Sequence, residues 1–346
     1  KGSPPVKTDD QERVILLGHG GGGRLTSQLL EDVILPVFRN PVLDRRDDSA
    51  CVDMPSRELV LTTDSYVVDP LFFPGGDIGR LAVCGTVNDL AVMGARPLYL
   101  TAGFILEEGL PMETLKRVVT SMAETAQLAG VQVVTGDTKV VDRGAADGLF
   151  INTAGVGVIP DGLELGADRL RPGDAILING TIGDHGMAVM MRREGLSFGS
   201  ALQSDTAPLN DVISSVLSAV PGQVHYMRDA TRGGLATVLN EWVEGADLGV
   251  DLEEDKIPVR EEVRAACEFL GLDPLYAANE GKVVIAVAEG AVGEALAALH
   301  AHPLGRHAAV IGRVTGHHPG HVVLETPYGA RRIIQMLTGA QLPRIC

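Results

Sequence analysis

Four acidic residues stand beside apolar segments, and together they indicate metal and phosphate chemistry. Asp64 follows the strand-like sequence LVLTT, Asp137 follows VQVVT, and Asp229 follows VHYMR. Asp89 lies next to Asn88 inside the apolar sequence LAVCGTVNDLAVMGA, which predicts a helix. Carboxylates at the ends of neighbouring strands can meet in one crevice. They repel one another there unless cations join them, and Mg²⁺ with phosphate oxygens is the usual solution.

Each of these acids has a simpler interpretation when it is taken singly. An aspartate after a strand often caps a helix or forms a turn. Asp89 is harder to explain in this way, because an Asn-Asp pair among Ala, Val, Leu and Met must find partners or destabilise the fold. The functional interpretation therefore depends on all four acids together.

Basic and glycine-rich residues follow two of these acids. Lys139 comes two residues after Asp137, where an amine can contact phosphate or polarise a carbonyl. The alternative for Lys139 is a surface salt bridge of little energetic value. After Asp229 the sequence TRGG, with Thr231 and Gly233, opens a predicted helix whose free N–H groups would suit a phosphate. The alternative here is a glycine turn that needs positive φ.

Two further residues offer proton transfer and sulfur chemistry. Glu280 precedes the apolar strand VVIAVA, where a carboxylate can act as a general base, although most such residues are ordinary polar residues at a strand end. The sequence ends on Cys346, and we expect its thiol to carry a chemical group from one site to another. The alternative is an end without fixed structure that finishes on cysteine.

Two motifs are less specific than they look. Residues 18–23, GHGGGG, match the pattern G-x-G-x-x-G after a predicted strand at 13–17. A dinucleotide site would need a second strand that ends in an acid about 20 residues later, and residues 36–49 do not form one. We therefore predict an N–H-rich loop that closes over phosphates, with His19 and Gly20 as nucleotide contacts. The sequence HHPGH at 317–321 can suggest a metal site, but a turn between strands explains it more simply.

Composition limits the class of protein. A length of 346 residues suits two domains, and the formal net charge of -16 argues against a duplex-binding surface. The four cysteines form no C-x-x-C pair, which fits a reduced, cytoplasmic compartment. No apolar run has membrane-spanning length, and no signal peptide opens the sequence.

Strands and helices alternate in both halves of the chain, which predicts an α/β or α+β fold. We predict strands at 57–63, 98–106, 131–135, 149–159, 175–179, 223–228, 282–288, 308–315 and 321–325. We predict helices at 77–93, 111–129, 184–194, 208–219, 233–245, 258–270, 291–300 and 329–337. The predicted domains are a disordered leader at 1–12, an N-terminal domain at 13–165, a C-terminal domain at 166–338 and a flexible tail at 339–346.

With these residues in place, the chain resembles the HypE family, the carbamoyl dehydratases of [NiFe]-hydrogenase maturation. The resemblance covers nearly all of the chain beyond the first dozen residues. The acidic motifs are shared with aminoimidazole ribonucleotide synthetase, selenophosphate synthetase and thiamine-phosphate kinase, whereas the cysteine-terminated tail is not. The matching stretches are LTTDSYVVDPLFFPGG (61–76), GTVNDLAVMGARP (85–97), TGDTK (135–139), RDATRGG (228–234), NEG (279–281) and PRIC (343–346).

The resemblance implies a two-domain PurM-like fold that dimerises through the sheet of its N-terminal domain. ATP and Mg²⁺ would bind between the domains, with Lys139 and Glu280 beside the reacting group and Cys346 as the carbamoylated residue. We also expect Asn88, in the GTVNDLAVMGARP stretch, to contact the nucleotide. It also implies that a carbamoyltransferase, HypF, loads the thiol, and that an iron scaffold of HypC and HypD receives the cyano group. The alternative is another ATP-dependent enzyme of this superfamily that acts on a free small molecule. The four predicted metal ligands are Asp64, Asp89, Asp137 and Asp229.

Overall fold

The described part of the chain forms two main sheets, each with its own helices. The computed structural model describes residues 14–20, 24–45, 50, 52, 54, 58–196, 202–336, 342 and 344–346. One sheet has four strands and the other has seven, and a two-stranded ribbon accompanies the first. The predicted class of mixed helices and sheets in two domains is confirmed.

The N-terminal domain is built on the four-stranded sheet. Its strand order is β1-β6-β4-β5, and β4 and β5 are the parallel neighbours. Its strands are β1 (Leu59–Tyr66), β2 (Phe72–Phe73), β3 (Gly76–Asp77), β4 (Arg96–Glu107), β5 (Gln132–Val141) and β6 (Leu149–Val158). Its helices are α1 (Arg24–Leu29), α2 (Leu35–Phe38), α3 (Ile78–Val92) and α4 (Met112–Ala129), with a π-helical turn at Leu30–Ile34.

Local sequence explains where α3 and α4 begin and end. The Asp77 carboxylate accepts hydrogen bonds from the N–H groups of Gly79 (2.7 Å) and Arg80 (3.1 Å), which caps the first turn of α3. Helix α4 buries one apolar face and ends at Gly130, whose φ of 70° closes the helix in the left-handed region. Both helices pack on the same face of the sheet, which we call the inner face.

The register of the strands separates two of the predicted acids. Asp64 pairs with Thr153, and Thr153 hydrogen bonds to Thr86 of α3 at 2.5 Å, so Asp64 belongs to the inner face. Asp137 pairs with Gly103, and Gly103 in turn pairs with Asn152. Asn152 is the residue directly before Thr153 in β6, so its side chain points to the face opposite that of Thr153. Because side chains alternate between faces along a strand, Asp137 lies on the opposite, outer face.

The C-terminal domain is built on the seven-stranded sheet, in the order β13-β12-β9-β11-β7-β10-β8. Two apolar cores cover its two faces, one with α7 and one with α6 and α9. Its strands are β7 (Ala175–Ile178), β8 (Val224–Asp229), β9 (Gly249–Glu253), β10 (Val283–Val287), β11 (Ala309–Thr315), β12 (Val322–Glu325) and β13 (Arg331–Ile334). Its helices are α5 (Asp184–Arg193), α6 (Asn210–Ala219), α7 (Gly234–Val243), α8 (Glu261–Leu270) and α9 (Val292–Ala301).

Side chains from each domain enter the core of the other. Ala91 and Val92 of α3 pack in the core that α6 and α9 form on the second sheet. In return, Val189 of α5 and Ala278 pack in the core of the N-terminal domain. The residues near this contact are therefore held by both domains.

Two predicted elements are wrong. The helix predicted at 329–337 is the edge strand β13, which pairs antiparallel with β12. The turn between them closes through Thr326, whose N–H donates to Ala330 O, and Gly329 takes a φ of 79° there. The strand predicted at 13–17 is reduced to a single bridge from Val14, followed by a 3-10 turn at Leu17–Gly20.

The short strands β2 and β3 were not predicted, and two other strands are longer than predicted. Strands β1 and β5 run past the predicted ends, so Asp64 and Asp137 lie within strands rather than after them. The sequence analysis did not predict β9. The HHPGH segment is a turn between β11 and β12, as predicted. Among the described residues, no helix is both long and apolar enough to cross a membrane.

Candidate active site

Three of the four predicted aspartates and Glu280 converge where the two domains meet. Asp64 comes from β1, Asp89 from α3, and Asp229 is the last residue of β8. Burial raises the pKa of Asp229 to about 7, and the charges of Asp89 and Asp64 add to the rise. Burial also raises the pKa of Glu280 well above its ordinary value, with the charges of Asp205, Asp229, Asp64 and Asp89 adding to it. We call Asp64, Asp89, Asp229 and Glu280 the acidic cluster.

Neighbouring hydroxyl groups line the acidic cluster on the N-terminal side. The Thr62 hydroxyl donates to Asp89 Oδ2 at 2.8 Å. Tyr66 is almost fully buried, and burial followed by the charge of Asp64 raises the pKa of its phenol. Helix α3 approaches this phenol so closely that a Cβ at Gly85 would lie 2.2 Å from Tyr66 Oη. Tyr66 was not predicted as a site residue. It lies two residues after Asp64 in β1, so both side chains are on the inner face of the first sheet.

Residues 204–206, which we call the strap, fix the backbone around Glu280. The Asp205 carboxylate accepts from the N–H groups of Glu280 (3.1 Å) and Gly281 (3.2 Å). It also forms a buried ion pair with Lys282, 2.8 Å from Nζ to Oδ2. A Cβ at Gly281 would lie 1.9 Å from Asp205 O, so only glycine fits after Glu280. Asp205 and Lys282 were not predicted from the sequence. Lys282 directly precedes the apolar strand VVIAV, and a lysine in that position indicates a buried charge that needs an acidic partner.

Two asparagines hold the elements that carry the acidic cluster. Asn88 donates to the carbonyls of Ala207 (3.1 Å) and Glu280 (3.4 Å), and its Oδ1 accepts from Leu209 N–H at 2.8 Å. Its amide thus holds the contact between the domains, and its expected contact with the nucleotide stays a prediction. Asn279 donates to Ala230 O at 2.6 Å and so fixes the segment after Asp229.

The predicted phosphate turn opens α7 as expected. Thr231 O accepts from Gly234 N–H at 3.0 Å, and Gly233 has a φ of 74° at the N-cap. Gly234 has a φ of 61°, and a Cβ there would lie 2.5 Å from Leu275 O. The two glycines are therefore needed for the tight turn itself, which is the alternative that the sequence left open. The free N–H groups at this helix start remain a site that phosphate oxygens would fit.

The end of the chain lies inside this site. Val67 N–H donates to Cys346 O at 3.1 Å and Asp69 N–H donates to Arg344 O at 3.4 Å, so the tail runs antiparallel to the residues that follow β1. Ile345 is 2% exposed. Burial raises the pKa of the Cys346 thiol to about 12, with the charges of Glu280 and Asp64 adding to the rise and that of Arg232 opposing it. The thiol thus faces the acidic cluster.

Comparisons with known proteins find relatives that match nearly the whole chain. Residues 46–159 match the family model for the N-terminal domain of AIR synthase related proteins, and residues 171–325 match the model for their C-terminal domain. The carbamoyl dehydratase HypE of Azotobacter vinelandii is 53% identical over 328 residues, which cover 95% of this chain and 96% of that one. The chain belongs to the HypE family.

Solved structures of the HypE family have the same fold. A structure described as HypE in complex with ATP is 51% identical, has a TM-score of 0.92, and covers 96% of this chain and 99% of its own. A HypE-HypF complex is 47% identical, with a TM-score of 0.78 over 91% of this chain and 100% of its own. A thiamine-monophosphate kinase from Stenotrophomonas maltophilia shares the fold at 18% identity and a TM-score of 0.62, over 81% of this chain and 89% of its own.

Four residues predicted for this site lie elsewhere in the same chain. The family resemblance implied Asp137 and Lys139, and the glycine-rich loop predicted His19 and Gly20. Lys139 Nζ lies 2.7 Å from Asp137 Oδ2 on the outer face of the first sheet, and both side chains are exposed. The hydrogen bond from Lys139 lowers the pKa of Asp137. His19 accepts from Leu16 N–H at 2.9 Å, and Gly20 packs against Val140 of β5. Asp137 and Lys139 belong to β5, and His19 and Gly20 lie next to it. Strand β5 is the edge of the sheet opposite β1, and the tail with Cys346 pairs with the residues that follow β1.

The chemistry of the acidic cluster fits cations. Within the described residues, no three His, Cys, Asp or Glu side chains are arranged as a ready-made metal site. The carboxylates nevertheless raise one another's pKa, so the cluster carries repulsion that a divalent cation would relieve. Oxygen ligands of this kind suit Mg²⁺.

Proposed function

We propose that this chain converts a carbamoyl group on its own Cys346 into a cyano group with the use of ATP. The observation that carries the proposal is the position of the tail, which brings the Cys346 thiol to the acidic cluster. HypE relatives are named carbamoyl dehydratases, and one HypE structure contains ATP. The product would supply the cyanide ligands of the [NiFe]-hydrogenase iron centre.

The acidic cluster would hold Mg²⁺ together with the phosphates of ATP. Asp64, Asp89 and Asp229 are the ligands we propose, and the start of α7 at Gly233 would receive phosphate oxygens. Bound Mg²⁺ supplies neutralisation of the charge that develops on the transferring phosphoryl group. Asn88 holds the two domains together at this site and is not proposed as a ligand.

The reaction removes oxygen and two protons from S–C(=O)–NH₂. The carbamoyl oxygen attacks the γ-phosphorus of ATP, and ADP leaves. The C–O bond then breaks and phosphate departs with that oxygen, while the nitrogen loses both protons to give S–C≡N. Glu280 accepts one proton and the departing phosphate takes the other.

The raised pKa of Glu280 fits this task. In the absence of cations, burial and the neighbouring carboxylates raise the pKa of Glu280 and so favour its protonated form. A cation held by Asp64, Asp89 and Asp229 would lower the pKa of Glu280 and favour the carboxylate form that the reaction needs. Glu280 thereby becomes a competent base when the nucleotide and Mg²⁺ are in place.

The thiol itself is a substrate in this scheme rather than a nucleophile that attacks inside the site. With its pKa raised to about 12, the inward Cys346 stays protonated at neutral pH. A thiolate is the nucleophilic form of cysteine, so loading of the carbamoyl group requires the tail to leave this position. The Cys346 sulfur would therefore be carbamoylated outside the site, and its carbamoyl group would be dehydrated inside it.

Partners and a second copy of the chain complete the proposal. HypF is the proposed donor of the carbamoyl group, as the HypE-HypF complex of a relative supports. An iron-carrying HypC-HypD scaffold is the proposed acceptor. We also propose that two copies pair through the outer face of the first sheet, where Leu61 is 70% exposed. Asp137 and Lys139 lie on this face, so any part they take in the reaction would involve the second copy.

The deciding experiment follows a chain that has been carbamoylated on its thiols with cyanate. Addition of Mg-ATP should release ADP and phosphate and produce a mass loss of one water at residue 346. Cys346→Ala should abolish this product and leave ATP binding unchanged. Turnover that persists in Cys346→Ala would overturn the proposal and favour an enzyme that acts on a free small molecule.

A further inference from the structure

We propose that His185 is a positioning residue that holds the last peptide of the tail in register with Glu280. The imidazole Nε2 lies 2.8 Å from Ile345 O, the carbonyl next to Cys346. This inference rests on the proposed function, because it concerns how the thiol group reaches the acidic cluster. It adds a task for a residue that lies outside that cluster.

The surroundings of His185 fix its tautomer. The ring is completely buried, and burial lowers its pKa, so the imidazole is neutral. A carbonyl oxygen only accepts, so Nε2 must carry the proton that it shares with Ile345 O. Nδ1 then accepts from the Ser204 hydroxyl at 2.8 Å, and the ring edge packs on Phe73 with centroids 5.4 Å apart.

The strap links this histidine to Glu280. Ser204 Oγ, which orients the imidazole, also lies 2.6 Å from Thr206 Oγ1. Between them, Asp205 accepts from the N–H of Glu280 at 3.1 Å. Three consecutive residues therefore fix both the carbonyl beside Cys346 and the backbone of the proposed base.

The other side-chain hydrogen bonds of the described tail residues are exposed, and two backbone bonds, from Val67 N–H to Cys346 O and from Asp69 N–H to Arg344 O, accompany them. Arg193 donates to Arg344 O at 2.8 Å and to Asp69 O at 2.6 Å, and these bonds are exposed. Arg344 donates to Val67 O at 3.1 Å, also in an exposed position. The bond from His185 is buried, so its loss leaves a carbonyl without a partner in an apolar setting.

Small errors in position matter for this chemistry. A displacement of about 1 Å between reacting groups can reduce a rate by about two orders of magnitude. A clamp on the peptide bond next to Cys346 limits the sulfur to rotations about the N–Cα bond and the side-chain bonds of this one residue. The carbamoyl oxygen and nitrogen are then presented to the same points in every turnover.

The test compares His185→Phe, which keeps a ring but loses both nitrogens, with His185→Gln, whose amide can still donate near the Nε2 position. All variants carry Cys51→Ser to remove a competing thiol. The first readout is the rate of Cys346 alkylation by iodoacetamide, measured on the 326–346 peptide that cleavage after Glu325 releases. The second is the single-turnover rate of dehydration of the cyanate-treated chain.

We expect His185→Phe to raise the alkylation rate and to lower the dehydration rate, each by about tenfold, with ATP affinity unchanged. His185→Gln should stay within about threefold of the parent chain. His300→Phe is the matched control, because His300 also bonds a carbonyl, Ala308 O at 3.0 Å, but away from the site. It should match the parent in both readouts.

Parent-like alkylation and dehydration in His185→Phe would overturn the inference, as would equal impairment of His185→Gln and His185→Phe. If His185→Phe does not fold, Ser204→Ala provides the same test, since it frees the imidazole to rotate. A parent chain that forms no cyano product would contradict the proposed function alone. The alkylation rates would still decide whether His185 holds the tail.

Discussion

Asp205 and Lys282 form an ion pair that is buried on both sides, with side chains 5% and 9% exposed. Burial alone would raise the pKa of Asp205, but the charge and hydrogen bond of Lys282, together with smaller effects of His185 and the Glu280 N–H, hold it below its ordinary value. Asp205 accepts a hydrogen bond from the N–H of Glu280, and Lys282 lies two residues after Glu280 in the chain. It therefore links the stability of the fold to the position of the proposed base.

Removal of one partner of this pair should be strongly destabilising. Lys282→Met leaves a buried carboxylate without a counter-ion, and we expect a loss of about 3–5 kcal/mol in the free energy of unfolding. Asp205→Asn combined with Lys282→Met should recover part of this loss, because neither charge is then buried. Urea unfolding measures both. A double variant less stable than Lys282→Met would contradict this account.

An exposed pair gives the control for that comparison. Lys256 Nζ lies 2.6 Å from Glu253 Oε2, and both side chains are nearly half exposed. Lys256→Met should change the free energy of unfolding by less than about 1 kcal/mol.

Glu280→Gln should change activity and stability in opposite directions. Loss of the proposed base should slow dehydration by about 10²–10⁴-fold, with ATP binding retained. Replacement of a buried carboxyl group by a neutral amide should raise the melting temperature of the nucleotide-free protein at pH 8. Single-turnover kinetics and thermal unfolding test the two effects. Glu289→Gln, at an exposed position after β10, should change neither quantity, and undiminished dehydration in Glu280→Gln would remove it as the base.

Asp229 should make the nucleotide-free protein less stable as the pH rises. Its folded pKa of about 7 lies above the ordinary value, so the folded state binds more protons than the unfolded state between about pH 4 and 7. Stability therefore falls as the pH rises through that window. The shift of about three pKa units corresponds to about 4 kcal/mol at most.

Urea midpoints at pH 5, 6, 7 and 8 measure this dependence. Asp229→Asn should flatten it, and Mg-ATP should flatten it in the parent chain because cations relieve the repulsion. Asp161→Asn, at an exposed position between the sheets, should leave the curve unchanged. An Asp229→Asn curve with the same pH dependence as the parent chain would contradict the raised pKa of Asp229.

The proposed dimer should depend on the outer face of the first sheet. Leu61→Arg places a charge beside Leu59, the other exposed apolar residue of β1, and we expect it to shift the protein from dimer to monomer. Sedimentation velocity measures the change. Leu128→Arg, at an exposed position of α4 on the other side of the sheet, should remain dimeric. A parent chain that sediments as a monomer would contradict the proposal.

The sequence predicted elements well where periodicity and terminating residues agree. Helix α4 has a clear apolar face and ends at Gly130, and the predicted and observed bounds differ by one residue. The segment at 329–337 failed because two adjacent isoleucines and a tight turn at Gly329 favour a strand, and pairing with β12 decided the outcome. Propensity alone could not show that a partner strand was in reach.

The site was predictable where polar residues interrupt apolar segments. Asp89 and Asp229 were found in this way, and the structure brings them together. Asp137 has the same sequence signal, but an extra length of β5 places it on the other face of the sheet, which depends on strand register. His185 and Asp205 were missed because their partners are far away in sequence, and Ile345 lies 160 residues from His185.

The burial of Ile345 sets how often the tail is free. Full burial of an isoleucine side chain is worth about 1.5–3 kcal/mol, so this residue alone favours the inward tail by roughly ten- to hundredfold. A protein that meets the outward tail by chance would find it in only a small fraction of molecules. An acceptor protein with its own apolar pocket for Ile345 would offset this preference. The residue next to Cys346 would then contribute binding energy both to the inward tail and to the acceptor that receives the group on the sulfur.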